Sequence, residues 1–384
     1  MAANDVYEGR EQSKVKHAFL QSYLERFAHI IGFSWESITY VDGFSGPWNS
    51  RASDLSDSSF FIALRELRKA RSNLREKGKL QRIRCVFVEK DPASFQSLQG
   101  FVKSQPNDVE ILSIHKSFED AIPEVLEFIR RDRKTFSFTF IDPTGWTGFA
   151  MKLIAPIVKL QPGEVLINFM TGHITRHIEN PISRDQFQDL YGSNDVLERV
   201  RGLKGTDRVE ACVAEYCQSI RRVGNFEHVC PAFVLNPERD RPHFNLIYAT
   251  RDDKGLEVFK TAEQSAMVVM EEEREKIDDK KRFHPNQGKL FQSNEPPTSS
   301  YYVELRQRYL LTARTAVRKE LEARARMSYR DAWRLALSQP LVWEKDLKEW
   351  LSQWRKDGVL TIEGLGSKRV PDREFPHFLV WKKP

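Results

Sequence analysis

The sequence predicts an α/β fold, a mostly parallel sheet of about seven strands with helices between them, followed by a smaller C-terminal domain. Three observations lead there. The first is Ser37-Ile38-Thr39-Tyr40-Val41-Asp42-Gly43-Phe44-Ser45-Gly46-Pro47-Trp48, a β-branched and aromatic run that breaks into a turn with two glycines and leads to a helix. The second is that later apolar runs also end on an acid, Ile83–Glu89 and Thr135–Asp142. The third is a composition shift over 283–300 to Pro, Gln, Asn, Ser and Thr, which reads as a linker.

The 384 residues suffice for two domains, and 40% hydrophobic content supports a packed core. No apolar run approaches the roughly 20 residues that a bilayer crossing needs. The first ten residues lack the basic-then-apolar pattern of a signal peptide. Cys85, Cys212, Cys217 and Cys230 match no common zinc spacing and are expected to be reduced thiols. The expectation is therefore a cytoplasmic protein with no membrane partner. The net charge of +6 is uneven: residues 301–384 carry 18 Lys+Arg against 11 Asp+Glu, and the rest is close to neutral. A basic bias confined to a small domain points to a polyanion partner.

The chain opens with an amphipathic helix over 13–32, with Phe19, Leu20, Tyr23, Leu24, Phe27, Ile30 and Ile31 on one face. Lys14, Lys16 and His17 at its start have two readings, a solvated first turn or reach toward a ligand at the strand ends. In the glycine turn, Gly43 and Gly46 let backbone approach a ligand, because they lack a Cβ. Asp42 beside them disfavours phosphate and favours a cationic or hydroxyl-bearing ligand. Helices follow over 59–77 and 93–103, around the strand Ile83–Glu89. Glu89 is placed to bind ribose hydroxyls, or else to act on the next helix dipole. The third strand spans 109–115; Ser117 and Phe118 after it read as an adenine-edge partner and an adenine-face packer, or as a helix cap and a core residue.

The fourth strand, Thr135–Ile141, ends at Asp142-Pro143, on the edge where open α/β sheets bind ligands. A helix over 149–160 and a strand over 164–170 follow. Residues 174–224 read as a helical insertion, and 229–235 and 243–250 as two more strands that close the sheet. His173 and His177, four apart, have no third ligand, so no metal is expected. A charged helix begins near Gly255 and runs to Lys281.

Residues 301–384 read as three helices (302–327, 331–338, 345–357) and a hairpin (358–363 and 377–381), the order of a winged helix-turn-helix. Lys348, Arg355 and Lys356 on the third helix and Lys368 and Arg369 at the wing tip are the expected nucleic-acid contacts, to DNA before RNA. A winged helix used for protein contact is the alternative. Trp333, Trp343, Trp350 and Trp354 read as core.

The Asp42-x-Phe44-x-Gly46 turn resembles the S-adenosylmethionine (SAM) turn of class I methyltransferases, with Trp48 where its last glycine stands. Asp142-Pro143 resembles the Asp/Asn-Pro-Pro-aromatic motif of amino-group methyltransferases, with Thr144 for the second proline and Trp146 one position late. Tyr40–Pro47 together with Phe140-Ile141-Asp142-Pro143 and the strand Asn245–Thr250 are similar to the three-Cys-motif partner proteins, over roughly residues 13–260. That resemblance implies a Rossmann-like class I methyltransferase domain over 1–282 and a winged-helix tail over 301–384. It implies SAM as cofactor, held by Asp42, Gly43, Phe44, Gly46, Glu89, Ser117 and Phe118, with Asp142 and Pro143 at the acceptor. It also implies a separate partner protein that carries the three cysteines and resembles radical-SAM enzymes. The function expected is methyl transfer on or with nucleic acid; the alternative is a non-catalytic adaptor with a degenerate pocket.

Overall fold

A computed structural model describes residues 5–46, 50–145, 147–172, 174, 178, 184–193, 195–282, 299–366 and 370–382. The chain forms two compact units, residues 1–296 and 297–384.

The first unit is built on a seven-stranded sheet. Its elements are α1 (Glu11–Ser34), β1 (Ser37–Asp42), α2 (Ser59–Glu76), β2 (Arg82–Glu89), α3 (Pro92–Ser104), β3 (Glu110–His115), α4 (Phe118–Arg130) and β4 (Thr135–Ile141). Then come α5 (Met151–Val158), β5 (Gly163–Phe169), α6 (Arg184–Tyr191), α7 (Val196–Val200), α8 (Gly205–Gly224), β6 (His228–Leu235), β7 (Pro242–Thr250) and α9 (Asp253–Arg282). The strand order is β3-β2-β1-β4-β5-β7-β6. The first five strands are parallel, and β7 runs antiparallel to both β5 and β6. This is a Rossmann-like α/β sheet with the order and the reversed seventh strand of class I methyltransferases. The order turns back between β1 and β4, so the switch point, where such sheets bind ligands, lies between those two carboxyl ends.

The central strands are buried on both faces, as a sheet covered by helices requires. One face carries α1, α2, α3 and α9: Tyr23 of α1 stacks on Phe138, Phe259 of α9 stacks on Tyr248, and Phe60 of α2 meets Phe101 of α3. The other face carries α4, α5 and the helical insertion, where Phe149, Phe169, Tyr191 and Tyr216 form one aromatic cluster. The helix starts follow from capping chemistry. Asp91 accepts a hydrogen bond from Ser94 N (2.8 Å) with Pro92 in the first turn of α3, and Ser58 caps α2. All four cysteines are buried thiols, none of them in a disulfide.

The second unit contains α10 (Ser300–Arg324), β8 (Arg326–Ser328), α11 (Tyr329–Leu337), α12 (Glu344–Lys356), β9 (Leu360–Glu363) and β10 (Phe378–Trp381). Its sheet has the order β8-β10-β9, antiparallel throughout. The long helix expected over 302–327 stops at Arg324, and Arg326–Ser328 is the strand β8 instead. Ala325 ends that helix in the left-handed conformation (φ 58°), and its N–H bonds Leu321 O. The next three residues then pair with Phe378–Val380. Trp333, Trp343, Trp350 and Trp354 are buried.

Arginines account for much of the basic excess of this unit, and several lie on aromatic faces. Arg306 lies over Trp343 (4.5 Å), Arg314 over Trp354 (5.8 Å), Arg318 over Trp381 (5.6 Å), Arg326 over Phe378 (3.6 Å) and Arg373 over Trp333 (4.6 Å). Arg318 and Arg324 also pair with Glu322 and Glu320 one turn away on α10.

Candidate functional site

Three carboxylates stand at the carboxyl ends of adjacent strands: Glu89 at the end of β2, Asp42 at the end of β1 and Asp142 just past β4. β1 and β4 are in register with Asp42 opposite Phe140, so Asp42 and Asp142 flank the switch point. Their elements differ in what they leave available.

Asp42 is fully buried and serves the turn after β1. Its Oδ2 accepts from Ser59 Oγ (2.6 Å) and Tyr40 Oη (3.3 Å), and its Oδ1 accepts from Phe44 N (3.1 Å). Ser45 Oγ closes the turn on Asp42 O (2.9 Å). Burial pushes its carboxyl up to about 6, against the pull of the Ser59 and Phe44 hydrogen bonds. Gly43 bonds Phe140 O (2.9 Å), and the space beside its Cα is filled by Phe118: a Cβ there would stand 2.8 Å from the ring. Phe44 packs on the same ring, with centroids 5.7 Å apart. Phe118 is core, and Ser117 caps α4 while donating to Asp120 Oδ2 (2.6 Å). Gly46 is half-buried; Pro47, Trp48 and Asn49 lie outside the described residues, as does Trp146.

Glu89 uses one oxygen within the chain. Its Oε1 accepts from Asp91 N (2.6 Å). Among the described residues no hydrogen bond reaches Oε2. That leaves one carboxylate oxygen at the end of β2, the chemistry that a ribose diol needs.

Asp142 is held from two sides. Lys16 Nζ, from the first turns of α1, donates to Oδ2 (2.5 Å), and Asn168 Nδ2, near the end of β5, donates to Oδ1 (2.7 Å). The Lys16 and Asp142 side chains are 13% and 15% exposed, so the ion pair is mostly out of water but still reachable. Pro143 is buried beside it. The Oδ1 of Asn168 is buried and has no partner among the described residues.

The start of α1 is therefore not a solvated turn. Lys14 pairs with Asp5 (2.8 Å) and Glu273 (3.0 Å), Lys16 reaches Asp142, and His17 is buried against Tyr7 Oη (3.0 Å). Arg10 holds Asp57, which also receives Arg51 N (3.0 Å) and so ties down the loop after the glycine turn. Of the two readings of Lys16, reach toward the strand ends is the one the structure shows, and Asn168 is the site residue that strand-end reasoning missed. Asn168 carried a signal, being the one amide in the apolar run Val165–Phe169. Lys16 carried its signal in the cluster Lys14, Lys16 and His17 at the start of a helix packed over the sheet.

The donor set suits SAM in chemistry. An acidic edge favours a sulfonium cation, and Glu89 Oε2 can take a ribose hydroxyl. Two cavities lie elsewhere in the first unit. About 390 Å³ lies at the amino edge of β4 and β5, lined by Phe136, Gln161, Pro162, Glu164 and Arg251, and about 200 Å³ lies beside it under α1. Their lining mixes aromatic and aliphatic side chains with the charged Glu164, Asp252 and, in one cavity, Arg251, and the two Glu164 oxygens already accept from Tyr23 and Thr250.

In the second unit, Arg355 and Lys356 are exposed on α12, and Lys348 pairs with Glu344 (2.7 Å). Lys368 and Arg369 lie outside the described residues, as do His173 and His177. Among the described residues, no group of three or more His, Cys, Asp or Glu is placed to hold a metal, and no helix is long and apolar enough to cross a membrane.

No protein-family model and no curated protein matches the chain. Among solved structures it is similar to a loganic acid methyltransferase with SAH, at 9% identity over 72% of this chain and 92% of that one, with a TM-score of 0.28. A score that low leaves the fold assignment to the strand order described above.

Proposed function

We propose that this chain is a SAM-dependent methyltransferase-like protein that acts on or with nucleic acid. The observation that carries the reading is the row of carboxylates Glu89, Asp42 and Asp142 across β2, β1 and β4, beside the switch point of the sheet. When bound there, SAM supplies an electrophilic methyl group. Glu89 Oε2 would take the ribose, the turn Gly43–Gly46 would border the nucleoside, and Asp42 fixes that turn through its bonds to Phe44 and Ser59. Asp142, its carboxylate aimed by Asn168, accepts a hydrogen bond from the acceptor. The three-Cys-motif partner family, with its cysteine-bearing partner protein, is the family reading that fits these motifs.

Isothermal calorimetry with SAM is expected to give saturable heat, and Glu89→Ala is expected to weaken the affinity about tenfold or more, the worth of one or two charge-assisted hydrogen bonds. Unchanged affinity in that variant would remove the ribose assignment. One observation favours a second reading, a non-catalytic scaffold: Asp42 has each oxygen bonded within the protein, and Phe118 fills the space at Gly43. Absence of both heat and thermal shift with SAM would select it.

The second unit has the element order of a winged helix, α10-β8-α11-α12-β9-β10, and we propose that α12 and the β9–β10 loop face phosphates. Lys356 and Arg355 on α12 and Lys368 and Arg369 in the loop would make the contacts. With about three phosphates engaged, log K for duplex DNA binding by the intact chain should fall with log salt at a slope of about −3. A Lys356→Ala variant should flatten that slope by about one contact. A flat response in the wild-type chain would instead favour a protein partner, and tighter binding to RNA would reverse the expected preference.

A further inference from the structure

The Lys16–Asp142 ion pair puts an amine of this chain where the proposed function seats an acceptor. Lys16 Nζ donates to Asp142 Oδ2 at 2.5 Å, and Asn168 occupies the other oxygen of the same carboxylate. Each Asp142 oxygen thus already accepts one hydrogen bond from within the chain, and the amine nearest that carboxylate is Lys16. Lys16 comes from α1, a helix fixed over the sheet by the buried Phe19, Tyr23 and Phe27, so its reach into the crevice is built into the fold. The groups around its Nζ are Asp142, the Phe244 ring (5.9 Å) on β7 and the neighbouring buried His17. The side chain is 13% exposed, which is enclosed without being sealed.

We propose that Lys16 is a methyl acceptor in cis: the protein methylates its own Lys16. The inference rests on the SAM reading above and adds the acceptor to it. The Lys16 ammonium gives a proton to Asp142 Oδ2. The freed Nζ lone pair then forms the N–CH3 bond on the methyl carbon as the S–CH3 bond breaks. The sulfur keeps that bonding pair and leaves as a neutral thioether, and the proton passes from Asp142 to water. Each added methyl group keeps the lysine chargeable but removes one N–H donor, which loosens its hold on Asp142 and opens that carboxylate to an acceptor from outside.

The test uses the intact chain. After incubation with methyl-labelled SAM, peptide mass spectrometry is expected to find the label on Lys16, and Lys16→Arg is expected to abolish incorporation while keeping the ion pair. Asp142→Asn, a second variant, should cut the incorporation at least tenfold, as loss of a proton acceptor does. A cofactor-free readout accompanies these. Reductive methylation with formaldehyde and cyanoborohydride should modify Lys16 in the folded wild type, more slowly than the exposed Lys69, and faster in Asp142→Asn. A protein that binds SAM by calorimetry but leaves Lys16 unlabelled overturns the inference and spares the functional reading. A Lys16 that the reagent never reaches in the folded chain overturns it as well. A protein that binds no SAM overturns both.

Discussion

Replacing Gly255 with alanine is expected to destabilise the first unit by about 2–3 kcal/mol, the range of overpacking in a closed site. Gly255 sits in the first turn of α9, above the starts of β5 and the end of β7. A Cβ there would stand 2.5 Å from Tyr248 Oη, 2.6 Å from Glu164 Oε1 and 2.6 Å from Thr250 Oγ1. These atoms cannot each give way separately, because they hold one another. Thr250 Oγ1 donates to Glu164 (2.7 Å), Tyr23 Oη donates to the other Glu164 oxygen, and the two tyrosine hydroxyls are 2.9 Å apart. Burial raises the Glu164 carboxyl above its ordinary range even with those donors present, so losing one donor leaves a costly group. The urea midpoint, read by far-UV circular dichroism at unchanged slope, measures the effect. A loss below about 0.5 kcal/mol would show that the cluster yields, contrary to its bonding.

His17 should make the protein lose stability as the pH falls from 7 to 5. Burial, with the Lys16 charge beside it, holds the imidazole down at about 3 against 6.5 when unfolded. Between those values the unfolded chain binds the extra proton, so stability present above pH 6.5 is lost as the pH falls. From pH 7 to pH 5 the loss amounts to about 2 kcal/mol. Asp42 acts in the opposite sense. Its raised carboxyl adds stability at low pH, which is lost as the pH climbs through about 6. The two must therefore be separated by difference. The gap between wild type and His17→Phe, from urea unfolding at pH 7 and pH 5, should shift by about 2 kcal/mol against the wild type. An unchanged gap would mean that His17 titrates alike in both states.

The sheet was legible because its strands are short apolar runs that end on acids or turns, and because β6 and β7 follow one another as a hairpin that reverses the chain. The strand-end acids Asp42, Glu89 and Asp142 were found for the same reason: strand polarity alone sets them on one edge. What each acid does there was not legible, because its partners come from far along the chain. Ser59 lies 17 residues past Asp42, and Lys16 lies 126 residues before Asp142. Gly43 read as room for a ligand, and its neighbour is Phe118, a contact that only packing of α4 onto β1 creates. β8 was hidden inside an Arg-rich run with helical composition, and what sets it apart is pairing with β10, 50 residues on.

The arginine-on-aromatic stacking in the second unit sorts its cations into two populations. Arg314, Arg318 and Arg373 cover Trp354, Trp381 and Trp333, and so roof over the indoles. Formal charge therefore overstates how many cations that unit can offer a polyanion. An alanine scan there would report two different events under one symptom. Weakened retention on nucleic acid after changing Arg373 would signal melting, whereas the same weakening after changing Lys356 would signal a lost grip, and only a melting curve run beside each binding curve tells them apart.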